Sequence, residues 1–450
     1  MQVRVAQSEN TMIMPPSMLV SATYDNMSKS AVLKFYDPKS EKIILWRDEI
    51  EHKPYCYSRL SPEELDFLQE RDDVLKIETV KKHDLMKDEE ISISKITVTD
   101  PLAIGGTTGD KSIRNIIDTW ESDIKYYENY LYDRSLIVGK YYEVIEGKIK
   151  SHDLEISDEV KLALKSLLWD KVDSKSMVDA NEFKDFISEW ANLLNQPIPK
   201  IKRMSIDIEV EAEIGRIPDP KIAEKKVTAI GFKGTDGFDK IFVLRTEGIE
   251  EGKNELDSQV EVVFYEKDKE KEMIADAFKI ISNYPFVVTY NGDEFDLPYL
   301  YNRAEKLGIK NQDNPLYMMR DSATLKHGVH LDLYRTLSNR SFQIYAFSQK
   351  YTDFSLNSVS KALLNKEKID YGLEIDELNL YQTANYCYND ALLTYELTSF
   401  NHDLLMNLLV IIARIGRMPI DDIARMGVSQ WIRSLLYYEH RQRNALIPKR

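Results

Sequence analysis

The stretch Met204-Ser205-Ile206-Asp207-Ile208-Glu209-Val210 alternates in character with a period of two. That period marks a β-strand, in which side chains at i and i+2 share a face. Asp207 and Glu209 therefore project together, while Ile206, Ile208 and Val210 line the other face. Two adjacent carboxylates repel and lose hydration when buried. Either they are solvated at a strand edge, or a divalent cation offsets both costs.

Around this strand the pattern from Lys202 is βββ, then α and β in alternation. Strands are expected over 227–232 and 240–244. A charged stretch leads into a helix over 270–283, and a short apolar strand follows over 286–290. Three antiparallel strands followed by α/β units predict a mixed sheet with helices on both faces. The fold class is α/β here and α+β for the chain overall.

Two further acids stand out. Asn291-Gly292 ends the 286–290 strand, and Asp296 before Leu297-Pro298 reads as the N-cap of a helix that stops at Gly308. It can face a ligand only if the carboxylate strand lies beside it. Another strand, His330-Leu331-Asp332-Leu333-Tyr334, carries an embedded acid, and Phe354-Ser355-Leu356 opens a helix ending near Leu364. Asp376 is read as the cap of a long helix over 377–400. On it, Tyr386 and Asp390 are four apart and share a face, with Ala384, Cys387, Ala391, Thr394 and Leu397 on the apolar side. This Tyr–Asp pair is either a surface pair or a functional one.

The preceding residues read as β-rich. After an unpatterned leader over 1–14, strands are expected over 18–24, 31–36, 42–46, 74–80 and 91–98. Ser61-Pro62-Glu63-Glu64 starts a helix, 100–109 reads as a flexible loop, and 113–132 has a helical apolar pattern. A hairpin around Gly147 and short helices over 160–169 and 181–194 lead to Gln196-Pro197-Ile198-Pro199, a rigid spacer taken as a domain boundary.

Length and composition set the bounds. The 450 residues suggest two or three domains, and an apolar fraction of 43% supplies sizeable cores. Two cysteines, Cys56 and Cys387, exclude a disulfide framework. No apolar run approaches a membrane span, so a cytoplasmic protein without a membrane partner is expected. The net charge of -15 argues against a general nucleic-acid binder, but not against an enzyme that brings cations to its site. Arg414, Arg417, Arg425, Arg433, Arg441, Arg443, Lys449 and Arg450 form a basic C-terminal stretch. It reads as the solvated face of two helices rather than a phosphate-contacting surface.

Asp-Ile-Glu on a strand, Asn-Gly-x-x-Phe-Asp at a strand end and Tyr-x-x-x-Asp on a late helix together resemble the three exonuclease motifs of family B DNA polymerases. Leu297-Pro298-Tyr299, His330–Tyr334 and Phe354-Ser355-Leu356-Asn357-Ser358-Val359 also match that family. Asp100-Pro101, Tyr130-Leu131-Tyr132-Asp133 and Gly139 are similar to archaeal members of the crenarchaeal, Sulfolobus type. So is Glu439-His440-Arg441-Gln442-Arg443-Asn444-Ala445-Leu446-Ile447-Pro448, which resembles their lead-in to the polymerase palm. No Ser-Leu-Tyr-Pro palm motif, Lys-rich fingers motif or Asp-Thr-Asp is present. The expectation is an N-terminal half without palm, fingers or thumb, and without nucleotide polymerisation of its own.

The resemblance implies a ribonuclease H-like exonuclease domain over 199–401. It also implies an amino-terminal, template-binding domain over 1–198 and a helical segment over 402–450 that returns to that domain. It implies 3′→5′ proofreading hydrolysis of DNA by two divalent metal ions, Mg²⁺ or Mn²⁺, held ~3.5–4 Å apart. Asp207 would bridge both ions, Glu209 and Asp390 would complete the first site, and Asp296 would support the second, partly through water. Tyr386 would orient the attacking water, since a phenol is a poor general base at neutral pH. Phe295 would flank the terminal base, or else be core, and Asn291 would help hold the DNA end or the turn. Expected partners are a single-stranded 3′ end, a template strand, the polymerase half, and a sliding clamp bound through segments absent here. The alternative is a non-catalytic, uracil-sensing template-binding module, with Ser112-Ile113-Arg114 as one pocket wall.

Overall fold

The computed structural model describes residues 13–47, 50–106, 111–152, 188–211, 218–319, 323–373 and 377–449, with a few positions between 158 and 166. Most of the expected leader, residues 107–109 of the expected loop, most of the 160–169 helix, residues 181–187 and the Asp376 cap lie outside them.

Strands β1 (Met14–Asp25), β2 (Ser30–Asp37) and β3 (Lys42–Arg47) form an antiparallel meander. A second sheet has the order β4 (Tyr55–Ser58), β6 (Glu89–Val98), β5 (Val74–Asp84). The hairpin β7 (Tyr141–Ile145) and β8 (Lys148–Ser151) then pairs back onto β1, closing a five-stranded sheet. The 113–132 pattern is not one helix. It breaks into Ile113–Ile116 and Tyr126–Asp133, because Trp120 leaves the helix to bridge Tyr57 on β4. Asp100 belongs to no flexible loop: its side chain caps the short helix Pro101–Gly105 by accepting from Leu102 N–H.

The carboxylate stretch is β9 (Arg203–Val210), a central strand of a six-stranded mixed sheet. β9 pairs antiparallel with β10 (Val227–Gly234), and β10 with β11 (Asp239–Leu244). The edge strand β12 (Glu261–Tyr265) runs parallel to β11 inside the stretch read as merely charged. On the other side of β9 lie β13 (Phe286–Thr289) and β16 (Val329–Asp332), both parallel to it in direction. A short ribbon, β14 (Leu316–Met318) with β15 (Ala323–Leu325), precedes β16.

One face of this sheet buries Met204, Ile206, Ile208 and Val210 against the amphipathic helices Glu270–Ile281 and Asp296–Lys306. The opposite face receives the long helix Leu380–Gly416. Its N-cap is Asn379, whose side chain accepts from Gln382 N–H, so the helix starts three residues later than the sequence suggests. Its helical geometry is interrupted at Phe400–Asp403, where three consecutive residues take left-handed angles.

Beyond that turn the chain returns to the amino-terminal sheets through the helices Ile420–Arg425 and Val428–Gln442. The basic residues here are a solvated face only in part: Arg443 and Lys449 are exposed, but Arg414, Arg417 and Arg441 are not. Arg414 is fully buried and donates to the carbonyls of Gly139 and Gln196. Arg417 is 2% exposed and packs over the rings of Trp190 and Tyr438. Arg441 pairs with the buried Glu121 and donates to Asn129. Guanidinium groups suit such buried sites because their five donors meet several acceptors at once.

Candidate active site

Three elements bring the acids together, and each is placed by a local feature of the sequence. Asp207 and Glu209 lie on the face of β9 that meets the long helix. Gly231 stands opposite Asp207 on β10. A β-carbon there would come within 3.0 Å of Cys387 O and 3.2 Å of Tyr388 Cα. The glycine therefore lets the helix backbone lie directly on the sheet. Ser205 Oγ donates to Ala391 O at 2.6 Å, and Cys387 Sγ donates to Asp207 O at 3.3 Å, fixing the helix along β9. Asp390, one turn past Tyr386, is thereby delivered to the two strand carboxylates. Oxygens of Asp207, Glu209 and Asp390 all lie within 4.8 Å of one another.

Asp296 is not an N-cap. Phe295 holds that position, and Asp296 is the first helical residue. Its Oδ1 accepts the N–H of Ile208 at 3.2 Å. β13 pairs with β9 only as far as Ser205, so beyond that point the β9 backbone needs another partner, which Asp296 provides. The turn before it is held by Asp332, which caps the Leu333–Ser338 helix rather than continuing a strand. Asp332 also accepts the N–H groups of Asn291 and Asp293 at 2.9 and 3.0 Å. Asn291 has a φ of 67°, a conformation asparagine tolerates better than most residues.

The acids open into a cavity of about 530 Å³, lined also by Tyr290, Asn291, Phe295, Tyr334, Leu356 and Lys368. Phe295 is thus half in the core and half on the cavity wall, its ring 5.5 Å from that of Tyr299. Tyr386 does not line this cavity. It faces a neighbouring one of about 440 Å³, on the other side of Lys368. Lys368 was not legible in the sequence, being one of two lysines, with Lys366, in a charged stretch without periodicity. Its Nζ lies 2.5 Å from Asp390 Oδ2 and 4.8 Å from the centre of the Tyr386 ring. Burial alone would lower its pKa, but Asp390 raises it, so it stays charged. On the amino-terminal side, Ile113 is fully buried in the core beneath β4 and β6, so its side chain is closed to a ligand.

Burial dominates the electrostatics. It pushes Glu209 up to about 8, with help from Asp390, and Asp296 up to about 7. Asp390 rises to about 6 by burial despite Lys368. Asp207 is raised by burial and then by its three acidic neighbours. Among the described residues one lysine thus faces four carboxylates, and Asp390 Oδ1 is buried without a hydrogen-bond partner. A hard cation with oxygen ligands fits this donor set, neutralising the excess charge and taking the orphaned oxygen.

The sequence profile described as DNA polymerase family B, exonuclease domain, matches residues 117–359, more than half of the chain. The chain belongs to DNA polymerase family B. Asp390 lies beyond the matched span, so its place rests on the geometry above. The chain is 36% identical over 437 residues to DNA polymerase 1 of Sulfolobus acidocaldarius, covering 96% of this chain and 48% of that protein. It is 35% identical over 438 residues to DNA polymerase 1 of Aeropyrum pernix, covering 96% and 44%. The family B DNA polymerase structure from Pyrobaculum calidifontis shares the fold, with a TM-score of 0.65 at 15% identity. That match covers 97% of this chain and 52% of the other. This family B chain therefore spans about half the length of the relatives it matches.

Proposed function

We propose that this chain removes nucleotides from the 3′ end of DNA by metal-dependent hydrolysis, as the proofreading part of a replicative polymerase. The observation that carries this reading is the convergence of Asp207, Glu209 and Asp390 within 4.8 Å beside Asp296, in an open cavity, with one carboxylate oxygen left unpartnered. Asp207, Glu209, Asp390 and Asp296 would together hold the divalent ions, two Mg²⁺ or Mn²⁺. When bound, such ions acidify a water and stabilise the leaving 3′ oxygen.

The chain's own residues do the rest. Lys368 holds Asp390 in place and offsets part of the acidic charge before a cation arrives. Tyr386 lies against Lys368, and burial raises its pKa, so its hydroxyl keeps its proton; facing the neighbouring cavity, it acts on the acids through Lys368 rather than on the water directly. Phe295, Tyr290 and Tyr334 offer an aromatic wall on which a terminal base stacks. Asn291, whose Oδ1 is buried without a partner on the cavity wall, is placed to meet that nucleotide.

By the same reading residues 1–198 hold the template, 199–401 form the exonuclease domain and 402–450 join them. The partners are a DNA 3′ end and the remaining part of the polymerase, with a clamp at most an indirect one. No helix among the described residues is long and apolar enough to cross a membrane. The test is digestion of single-stranded DNA labelled at either end. Stepwise shortening from the 3′ end with Mg²⁺, abolished by EDTA, is expected. DNA binding that persists with chelator, with no cleavage in Mg²⁺ or Mn²⁺, overturns the reading in favour of a template-holding module.

A further inference from the structure

Behind the cavity, the turn that presents Asp296 is gripped from the far side of the molecule. Asp293, three residues before Asp296, points away from the cavity into a closed pocket, where its side chain is 1% exposed. There Arg425 meets it with two bonds, Nε to Oδ2 at 2.7 Å and Nη2 to Oδ1 at 2.9 Å. The same guanidinium donates to Ala323 O at 3.2 Å on β15 and to Asp421 O at 3.2 Å on its own helix. His330 Nδ1, on β16, lies 3.3 Å from Asp293 and 3.0 Å from Arg425 Nη2. Burial alone would raise Asp293, but the hydrogen bonds of His330 and Arg425 bring it below the ordinary carboxylate value.

Arg425 does not belong to the exonuclease sheet. It ends the Ile420–Arg425 helix, whose Asp421 accepts a 2.8 Å bond from Ser21 on β1. The Tyr290–Phe295 turn thus has two anchors. Asp332 holds its backbone N–H groups from within the sheet. Arg425 holds its only inward-facing carboxylate from the C-terminal segment. The turn carries one residue in a left-handed conformation, Asn291, next to the residues these anchors hold.

We propose that Arg425 is a positioning residue for the metal site: through Asp293 it fixes the turn that delivers Asp296, and so ties cation affinity to the docking of the C-terminal segment on β1. The arrangement is that of an outer partner orienting a metal ligand. Losing such partners usually costs about 10–100-fold in metal affinity or activity. This rests on the metal-site reading above but not on DNA cleavage, so Mn²⁺ alone is the probe.

The experiment is calorimetric titration of Mn²⁺ into the whole chain as wild type, Arg425→Met, Asp293→Asn, Asp296→Asn and the Arg425→Met/Asp296→Asn double variant. Circular dichroism melting is recorded for each. Expected is an about 10–100-fold weaker Mn²⁺ site in Arg425→Met and in Asp293→Asn, both folded. In the Asp296→Asn background, Arg425→Met should weaken Mn²⁺ by less than about twofold, because the ligand it positions is already gone. An equal loss in both backgrounds means a merely structural role and overturns the proposal. If Arg425→Met does not fold, the isosteric Asp293→Asn decides alone, and wild-type affinity in it overturns the proposal. Absence of Mn²⁺ binding in the wild type removes both this proposal and the site it rests on. Mn²⁺ binding with the expected losses, but no DNA cleavage, supports this proposal while removing the exonuclease reading.

Discussion

Glu209, Asp296 and Asp390 hold their protons to about pH 8, 7 and 6, against about 4 for free carboxyls. Between those limits the folded chain binds more protons than the unfolded one. The stability conferred on the protonated site is complete below the unfolded values and is lost as pH rises through the folded ones. Without cations, the melting temperature should therefore fall between about pH 4 and pH 8, and Mg²⁺ should restore most of it at the alkaline end. A cation-free melting temperature that stays flat over this window would contradict the assignment of the buried charges. Lys368→Met removes the one cation that, among the described residues, faces the acids. It should lower 3′ hydrolysis by about 10–100-fold in a folded chain, measured as single-turnover rate. The acids were legible because each belongs to a patterned element. Lys368 was not, because a lysine in a loop carries no periodic signal and its partner lies 22 positions along the chain.

The long helix shows what local pattern can and cannot convey. Its apolar side and the Tyr386/Asp390 spacing follow from a 3.6-residue period and match the structure. Its interruption at Phe400–Asp403 follows from a contact instead. Asp403 leaves the helix to pair with Arg203, which is 1% exposed at the start of β9 and also donates to Thr398 Oγ1 and Ile201 O. Removing one member of a buried pair strands the other charge. Asp403→Ala should cost about 3 kcal/mol, at the low end for such pairs because two acceptors remain, and urea unfolding measures it. A loss under about 0.5 kcal/mol would show that the turn, not the ion pair, holds the junction. Edge strand β12 was missed for a related reason. Its Glu-Val-Val-Phe-Tyr run is flanked by charged residues that read as loop, and only its pairing with β11 identifies it. The 113–132 stretch failed in the opposite sense: its helical period is real, but Trp120 gains a sheet partner that a continuous helix would deny it.

At the scale of the molecule, Arg414, Arg417 and Arg441 hold the parts together. Composition suggested a solvated basic face, because a charged side chain in isolation belongs in water. The structure buries Arg414, Arg417 and Arg441 among carbonyls, rings and carboxylates contributed by the amino-terminal sheets and the segment before β9. Neither a count of charges nor a helical period shows that those acceptors will be waiting. Arg441 joins the last helix to Glu121, Asn129 and Asp133, so Arg441→Met should raise hydrogen exchange in β4, β5 and β6. It should leave hydrolysis of short single strands unchanged within about twofold, since none of these residues lines the cavity. Loss of hydrolysis in that variant would mean that the site depends on the amino-terminal sheets more directly than the contacts imply.

The central claim is that the acids gathered by β9, the turn after β13 and the long helix cut DNA from its 3′ end. The most direct measurement is the rate of 3′-nucleotide release from single-stranded DNA in Mg²⁺, compared between the wild type and a folded Asp207→Ala variant. The account predicts steady release by the wild type and a loss of at least about 1,000-fold in the variant, because a carboxylate at the centre of the acidic cluster is gone. Equal rates in the two proteins, or release that survives EDTA, would contradict it.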